Sequence, residues 1–331
     1  MQARPIQLRD PPSAAPPGFR PVVRGLIDRM ASYFDSYPGY RALPDGLAFD
    51  TVVGRTTVRF RPVPQGSAGH LAEVGEVRTE LREPFQSFSD AQIARFNIMA
   101  SLGAVLREPA TGRTVILTRC PLFAGDEARI DHFGILLHAA AMVHDDQLAA
   151  GICSIDGSAL PEHMRQPCRP AGQPAAWGEA DFERLAGSLR SSGIPARVFA
   201  QGLVASLHWP EDEGLQLCEG RSGSYLLFST REAHPALGSG LQCRLELPVE
   251  LRGDQAIDMV NQLNLQENRD RAAEPSFGAW CPVPYAPSIA WVSFVPESLY
   301  LPGLADTLCS SITWRSWKVL QMIRGGENWL Q

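Results

Sequence analysis

The chain has 331 residues, 44% of them apolar and 20% charged, with a formal net charge of −6 at pH 7. That length suits two ordinary cores better than one. The acidic balance argues against a general nucleic-acid binder, whose affinity comes from Lys and Arg on phosphates, and the apolar runs are far shorter than a membrane span.

Residues 1–17 hold Pro5, Pro11, Pro12, Pro16 and Pro17 and no apolar signal core, so a disordered lead is expected. A helix follows over about 21–36, where Val23, Leu26, Ile27, Met30 and Phe34 recur at helical spacing. Pro38 and Gly39 stop it. Strands are expected at 46–53, 56–62 and about 70–81, each bounded by Pro, Gly or Ser clusters. Ser89 and Gln92 have capping-box spacing and open a second helix carrying Ile93, Phe96, Asn97 and Ala100 inward. Strands at 103–107 and 113–120 flank the turn Ala110-Thr111-Gly112, and a last helix runs over about 126–147. Pro161, Pro167, Pro170 and Pro174 mark 151–176 as a linker.

The order then repeats. A helix over about 179–192 carries Phe182, Leu185 and Leu189. Strands are expected at 202–209, at 215–218 paired with 224–230, and at 240–247, then a helix at 254–265 with Ile257 and Val260 inward. Two further strands, about 277–283 and 288–295, precede a helix over about 304–323. Shared residues support a duplication. Gly103-Ala104 lies 18 residues before Pro121, counted from the glycine, and Gly278-Ala279 lies 18 before Pro296. Asn97 is matched with Asn261. The expectation is an α+β chain of two repeated domains, 18–150 and 177–331, each an antiparallel sheet with helices in the order helix, three strands, helix, two strands, helix.

This element order, with the paired Asn97 and Asn261 and the Gly-Ala pairs, resembles the type III secretion chaperone-like fold, which bacterial proteins of the YbjN type share. The resemblance covers nearly the whole chain, once per half. It implies a non-enzymatic protein that binds a protein or peptide client. Single-domain members pair as homodimers, so two copies in one chain imply an internal pseudo-dimer, whether the chain itself is a monomer or a homodimer.

No catalytic pattern competes with that reading. Asp131, His138 and Asp145 share one line of the third helix, but residues seven apart are roughly 10 Å apart along the axis, too far for one metal site. His144 is expected on the core side. Cys120 and Cys281 each precede a proline and have no His nearby in sequence; buried Cys behaves as a small hydrophobe. Gly220-Arg221-Ser222-Gly223 is neither a phosphate loop nor a nucleophile elbow. No cofactor, metal, nucleic acid or membrane is expected. Seven cysteines without short paired spacings fit reduced thiols in a cytoplasmic protein. All seven tryptophans lie after residue 176, which reads as a bulky core or as a partner surface. Prolines between 282 and 287 interrupt regular pairing there and single out Trp280, Tyr285 and Tyr300 as candidate partner-binding residues. The alternative is an enzyme of unrecognised type with a cleft between the halves.

Overall fold

A computed structural model describes residues 19–63, 71–125, 127–162, 165–166, 168–170, 173–207, 224–249, 251–268, 275–284 and 286–324. In the first half, α1 (Pro21–Phe34) begins with proline in its first turn and buries Val23, Leu26, Ile27, Met30 and Phe34, the face the periodicity predicts. Strands β1 (Arg41–Leu43), β2 (Gly46–Asp50), β3 (Gly54–Pro62) and β4 (Leu71–Leu81) precede α2 (Asp90–Phe96). Then come β5 (Ala104–Arg107), β6 (Thr114–Phe123) and α3 (Glu127–Asp156). The second half runs α4 (Glu179–Ser191), β7 (Ala196–Phe199), β8 (Gly202–Leu207), β9 (Ser224–Ser229), β10 (Gly240–Pro248), α5 (Asp254–Glu267), β11 (Ala279–Pro282), β12 (Ser288–Pro296) and α6 (Leu304–Arg324).

Both sheets are antiparallel and six-stranded, ordered β1-β2-β3-β4-β6-β5 and β7-β8-β9-β10-β12-β11. The architecture is therefore α+β with one topology used twice. Each half has a fourth strand before its middle helix where three are expected. In the first half the addition is β1, three residues long and without a readable period; in the second, β7 is an edge strand of four. The stretch 215–218 and Tyr285 lie outside the described residues. Helix α3 runs on to Asp156, into the segment read as linker.

The registers show the duplication residue by residue. Ala104 pairs with Leu117 and Ala279 with Val292, so positions 175 apart correspond. Gly103 and Gly278 each stand just before the edge strand. A Cβ on Gly103 would lie 2.8 Å from His144 Nε2 and from Thr118 Oγ1; on Gly278 it would lie 2.4 Å from the Val292 carbonyl oxygen. Close approach makes glycine necessary at both.

The asparagine match needs correction. Asn97 Nδ2 donates to the Val105 carbonyl at 2.9 Å and its Oδ1 accepts the Val105 N–H at 2.8 Å. The same clamp in the second half is made by Asn264 on Trp280, at 2.9 and 2.8 Å. Asn261 instead donates to the Asp90 carbonyl across the halves. Asn97 lies seven residues after the first residue of its helix and Asn264 lies ten, so the true partner falls about one turn later. The capping box at Ser89 and Gln92 forms as expected. Ile93, Phe96 and Val260 are buried and Ile257 is partly buried. Replacing Asn264 with Ala strands a buried N–H and carbonyl of Trp280. The expected loss is about 2 kcal/mol of unfolding free energy in urea titration, and a loss within error of zero would contradict the clamp.

The halves join by reciprocal contacts. Ser101 Oγ donates to the Phe294 carbonyl at 2.6 Å and the Phe294 N–H donates to the Ser101 carbonyl at 3.2 Å. Ser276, the counterpart of Ser101, bonds both backbone groups of Arg119, the counterpart of Phe294: its N–H donates to the Arg119 carbonyl at 2.7 Å and its Oγ accepts the Arg119 N–H at 2.8 Å. Between them Ala104, Leu106, Val115 and Leu117 pack in one cluster with their counterparts Ala279, Cys281, Ala290 and Val292. His132 Nδ1 meets its own counterpart, Thr307 Oγ1, at 3.0 Å. Such exchange of i and j is the signature of an isologous contact, made here within one chain.

Candidate binding grooves between the first and third helices of each half

Helices α1 and α3 leave a groove whose open side is walled by Ser298–Pro302 of the second half. The cavity holds about 770 Å³. Leu26 and Ile135 line one wall and Leu299, Tyr300 and Leu301 the other, with Arg29 and Asp131 among the polar lining residues. Arg29 and Asp131 are 3.9 Å apart and both largely exposed, so their pairing contributes little. His138 also lines the cavity; its ring packs edge-on against Tyr33 with centroids 4.5 Å apart. Burial lowers the His138 pKa. Tyr33 and Met142, on the adjoining turns, are among the exposed large apolar side chains.

The second half has the same groove between α4 and α6, with a volume of about 470 Å³. Leu185, Leu189, Ile194, Cys309, Trp314 and Trp317 line it. Where the first half has Tyr33 and His138, the corresponding residues are Ser192 and Thr313, which are too small to close it. Trp314 and Trp317 stack at 4.6 Å, and Trp314 is 47% exposed.

The three residues chosen from sequence fare differently. Trp280 is fully buried in β11, and its Nε1 donates to Glu267 Oε1 at 2.7 Å. As folded it offers a partner no surface, because β11 packs between α5 and β12. Tyr300 lines the α1–α3 groove, with its ring edge-on to Trp177 at 5.4 Å. Tyr285 lies outside the described residues. In sequence Leu26 reads as an ordinary core-face residue, and only tertiary packing reveals the groove it lines with Ile135. Trp314 had a weak signal in sequence, as a large apolar residue three positions from a second tryptophan.

The remaining chemical candidates are buried and satisfied. His144 Nδ1 accepts from Thr79 Oγ1 at 2.8 Å, and Thr79 Oγ1 contacts Thr56 Oγ1 at 2.7 Å. Thr118 Oγ1 donates to the Leu102 carbonyl, so it accepts from His144 Nε2–H at 3.3 Å. Burial pushes the His144 pKa down to about 3. Burial raises the thiols of Cys120 and Cys243 well above the ordinary value and lifts Cys281 and Cys309 to about 12. These are protonated small hydrophobes at neutral pH. Among the described residues no group of three or more His, Cys, Asp or Glu could hold a metal ion, and no helix is long and apolar enough to cross a membrane. No protein-family model, curated protein or solved structure matches the chain.

Proposed function

We propose that this chain is a non-enzymatic chaperone or adaptor that captures a polypeptide client, with the α1–α3 groove as its principal seat. The observation that carries the reading is the groove itself. It is walled by both halves, is lined by Leu26, Ile135, Leu299, Tyr300 and Leu301, and continues into the exposed Tyr33 and Met142. An apolar trough with a few polar rim groups suits a segment that presents apolar side chains. The outer strands β1 and β7 stand at the sheet edges opposite the joined pair β5 and β11 and can accept an added strand. The repeated element order supports kinship with the secretion chaperone-like fold. Six unpaired cysteines among the described residues fit a reducing compartment, the cytoplasm.

The test is a photo-crosslinking residue placed at Ile135 in the full chain, activated in the cells that make the protein. The expected result is a discrete polypeptide adduct that is lost when Leu301→Arg fills the groove with charge. Crosslinking to no polypeptide, or native mass spectrometry finding a small molecule in the groove, would overturn the reading in favour of an enzyme-like cleft.

A further inference from the structure

In a duplicated frame one half serves as a template for the other. In the first half Arg78 on β4 lies between two carboxylates: its Nη1 donates to Glu80 Oε2 at 3.1 Å and its Nη2 to Glu108 Oε2 at 3.2 Å. Glu108 follows β5 directly, and its N–H donates to the Arg113 carbonyl at 2.8 Å. The second half keeps the same backbone. Arg244 pairs in register with Val292 as Arg78 does with Leu117. Val283 follows β11, and its N–H donates to the Ser288 carbonyl at 3.0 Å, as that of Glu108 does to Arg113.

Valine therefore stands where the first half holds its second carboxylate. Arg244 Nε and Nη2 both donate to Glu246 Oε2, at 3.2 and 2.7 Å, and among the described residues Nη1 has no partner. Gln242, two residues back on the same face of β10, makes no side-chain hydrogen bond among the described residues. Its counterpart Glu76 accepts from Arg61 at 3.2 Å. Beside Arg244 and Gln242 lies a cavity of about 300 Å³ lined by both halves. Ile98 of the first half and Val283, Val292 and Phe294 of the second form its apolar wall. It shares no lining residue with the α1–α3 groove. That volume is at the lower end for small-molecule sites, and a few polar groups in an apolar wall are their usual make-up. Glu232 also lines the cavity but is exposed, so water and salt screen its charge.

We propose that this cavity binds an apolar compound bearing one carboxylate. The carboxylate takes the place that Glu108 fills in the first half, on Arg244 Nη1 and the Gln242 amide, and the apolar body rests against Ile98, Val283 and Phe294. A half-buried guanidinium gains charge-assisted hydrogen bonds from a carboxylate that an amide of the same shape does not offer. A free organic acid and the carboxyl terminus of a peptide both carry this chemistry.

Isothermal titration calorimetry on the full chain uses benzoate, benzamide, acetyl-Ala-Phe with a free carboxyl terminus, and the same dipeptide amidated. At least one acid is expected to bind about tenfold more tightly than its amide. Benzoate binding, with or without the dipeptide, assigns the site to a free acid; dipeptide binding alone assigns it to a chain end. Val283→Glu, which restores the carboxylate of the first half, is expected to abolish the binding. It is also expected to melt at a higher temperature than Val283→Gln, a variant of the same size without the charge. Acids that do not bind, or bind no better than their amides, overturn the proposal. So does binding that survives in Val283→Glu. A Val283→Glu protein no more stable than Val283→Gln overturns it as well, because Arg244 then takes no further carboxylate.

Discussion

Replacing Glu267 with Ala is expected to lower the unfolding free energy by about 3–5 kcal/mol. Arg315 is almost wholly buried, its side chain 2% exposed. Its Nε donates to both Glu267 oxygens at 2.9 Å, its Nη1 to Ser311 Oγ at 2.6 Å and its Nη2 to the Pro275 carbonyl. The guanidinium carbon lies 4.7 Å from the centroid of the Trp291 ring. An arginine in a folded protein keeps its charge, so removing Glu267 leaves a buried cation without its counterion and Trp280 Nε1 without its acceptor. The paired replacement Glu267→Leu, Arg315→Met removes both charges together and is expected to recover most of the loss, because desolvating the pair offsets much of its attraction. Urea unfolding of the parent, the single and the double variant measures both terms. A single variant as stable as the parent, or a double variant no better than the single, would refute the ion pair as the anchor of α6.

This cluster also marks the limit of sequence reading. The positions corresponding to Arg315 and Val319 in α6 are Ala140 and His144 in α3. One half therefore buries an arginine where the other buries alanine, and valine where the other buries histidine. A duplicated backbone fixes where side chains go without fixing their chemistry, and Arg315 within a helix looks like any surface arginine until its surroundings are known. The frame itself was more legible. Amphipathic spacing located the helices, the capping residues placed the start of α2, and the glycines before β5 and β11 are glycines because a Cβ would strike a neighbouring strand or His144. The sequence carries a further repeat. Arg78-Thr79-Glu80-Leu81 and Arg244-Leu245-Glu246-Leu247 occupy equivalent places on β4 and β10, and each Arg pairs with the Glu two residues on, at 3.1 and 2.7 Å. The short edge strands escaped because three or four residues show no period. Trp280 misled because a tryptophan near prolines looks like a surface feature, whereas the prolines flank an edge strand whose inner residues are core. The grooves were illegible because they are gaps between elements, defined by which side chains are too small to fill them.

Acidification from pH 6 to 4 is expected to destabilise the protein. Burial depresses the His144 pKa from 6.5 to about 3 and the His234 pKa from 6.5 to about 4. Both rings are held neutral by their partners. His144 sits between the two threonines, and His234 Nδ1 accepts the N–H groups of Ala236 and Leu237 at 3.2 Å each. Between the folded and unfolded pKa values the unfolded chain binds a proton that the native state does not, so stability rises with pH through that window and falls as pH drops. Each such proton gives a slope of about 1.4 kcal/mol per pH unit. Asp146 opposes this. Burial, and then the neighbouring charge of Asp145, raise its pKa from 3.8 to about 6, so between those values the native state holds the extra proton. Asp146 is partly open to solvent, and its share is discounted accordingly. Less than two protons against less than one leave a net slope of about 1 kcal/mol per unit between pH 4 and 6. His138, lowered in the same direction, adds to it. The measurement is the unfolding free energy in urea at half-unit steps across this range, for the parent and for His144→Gln, which keeps a donor and an acceptor between Thr79 and Thr118. The variant is expected to lose about one proton's worth of slope. An unchanged slope would mean that His144 is protonated in the folded protein and that the threonine network does not hold it neutral.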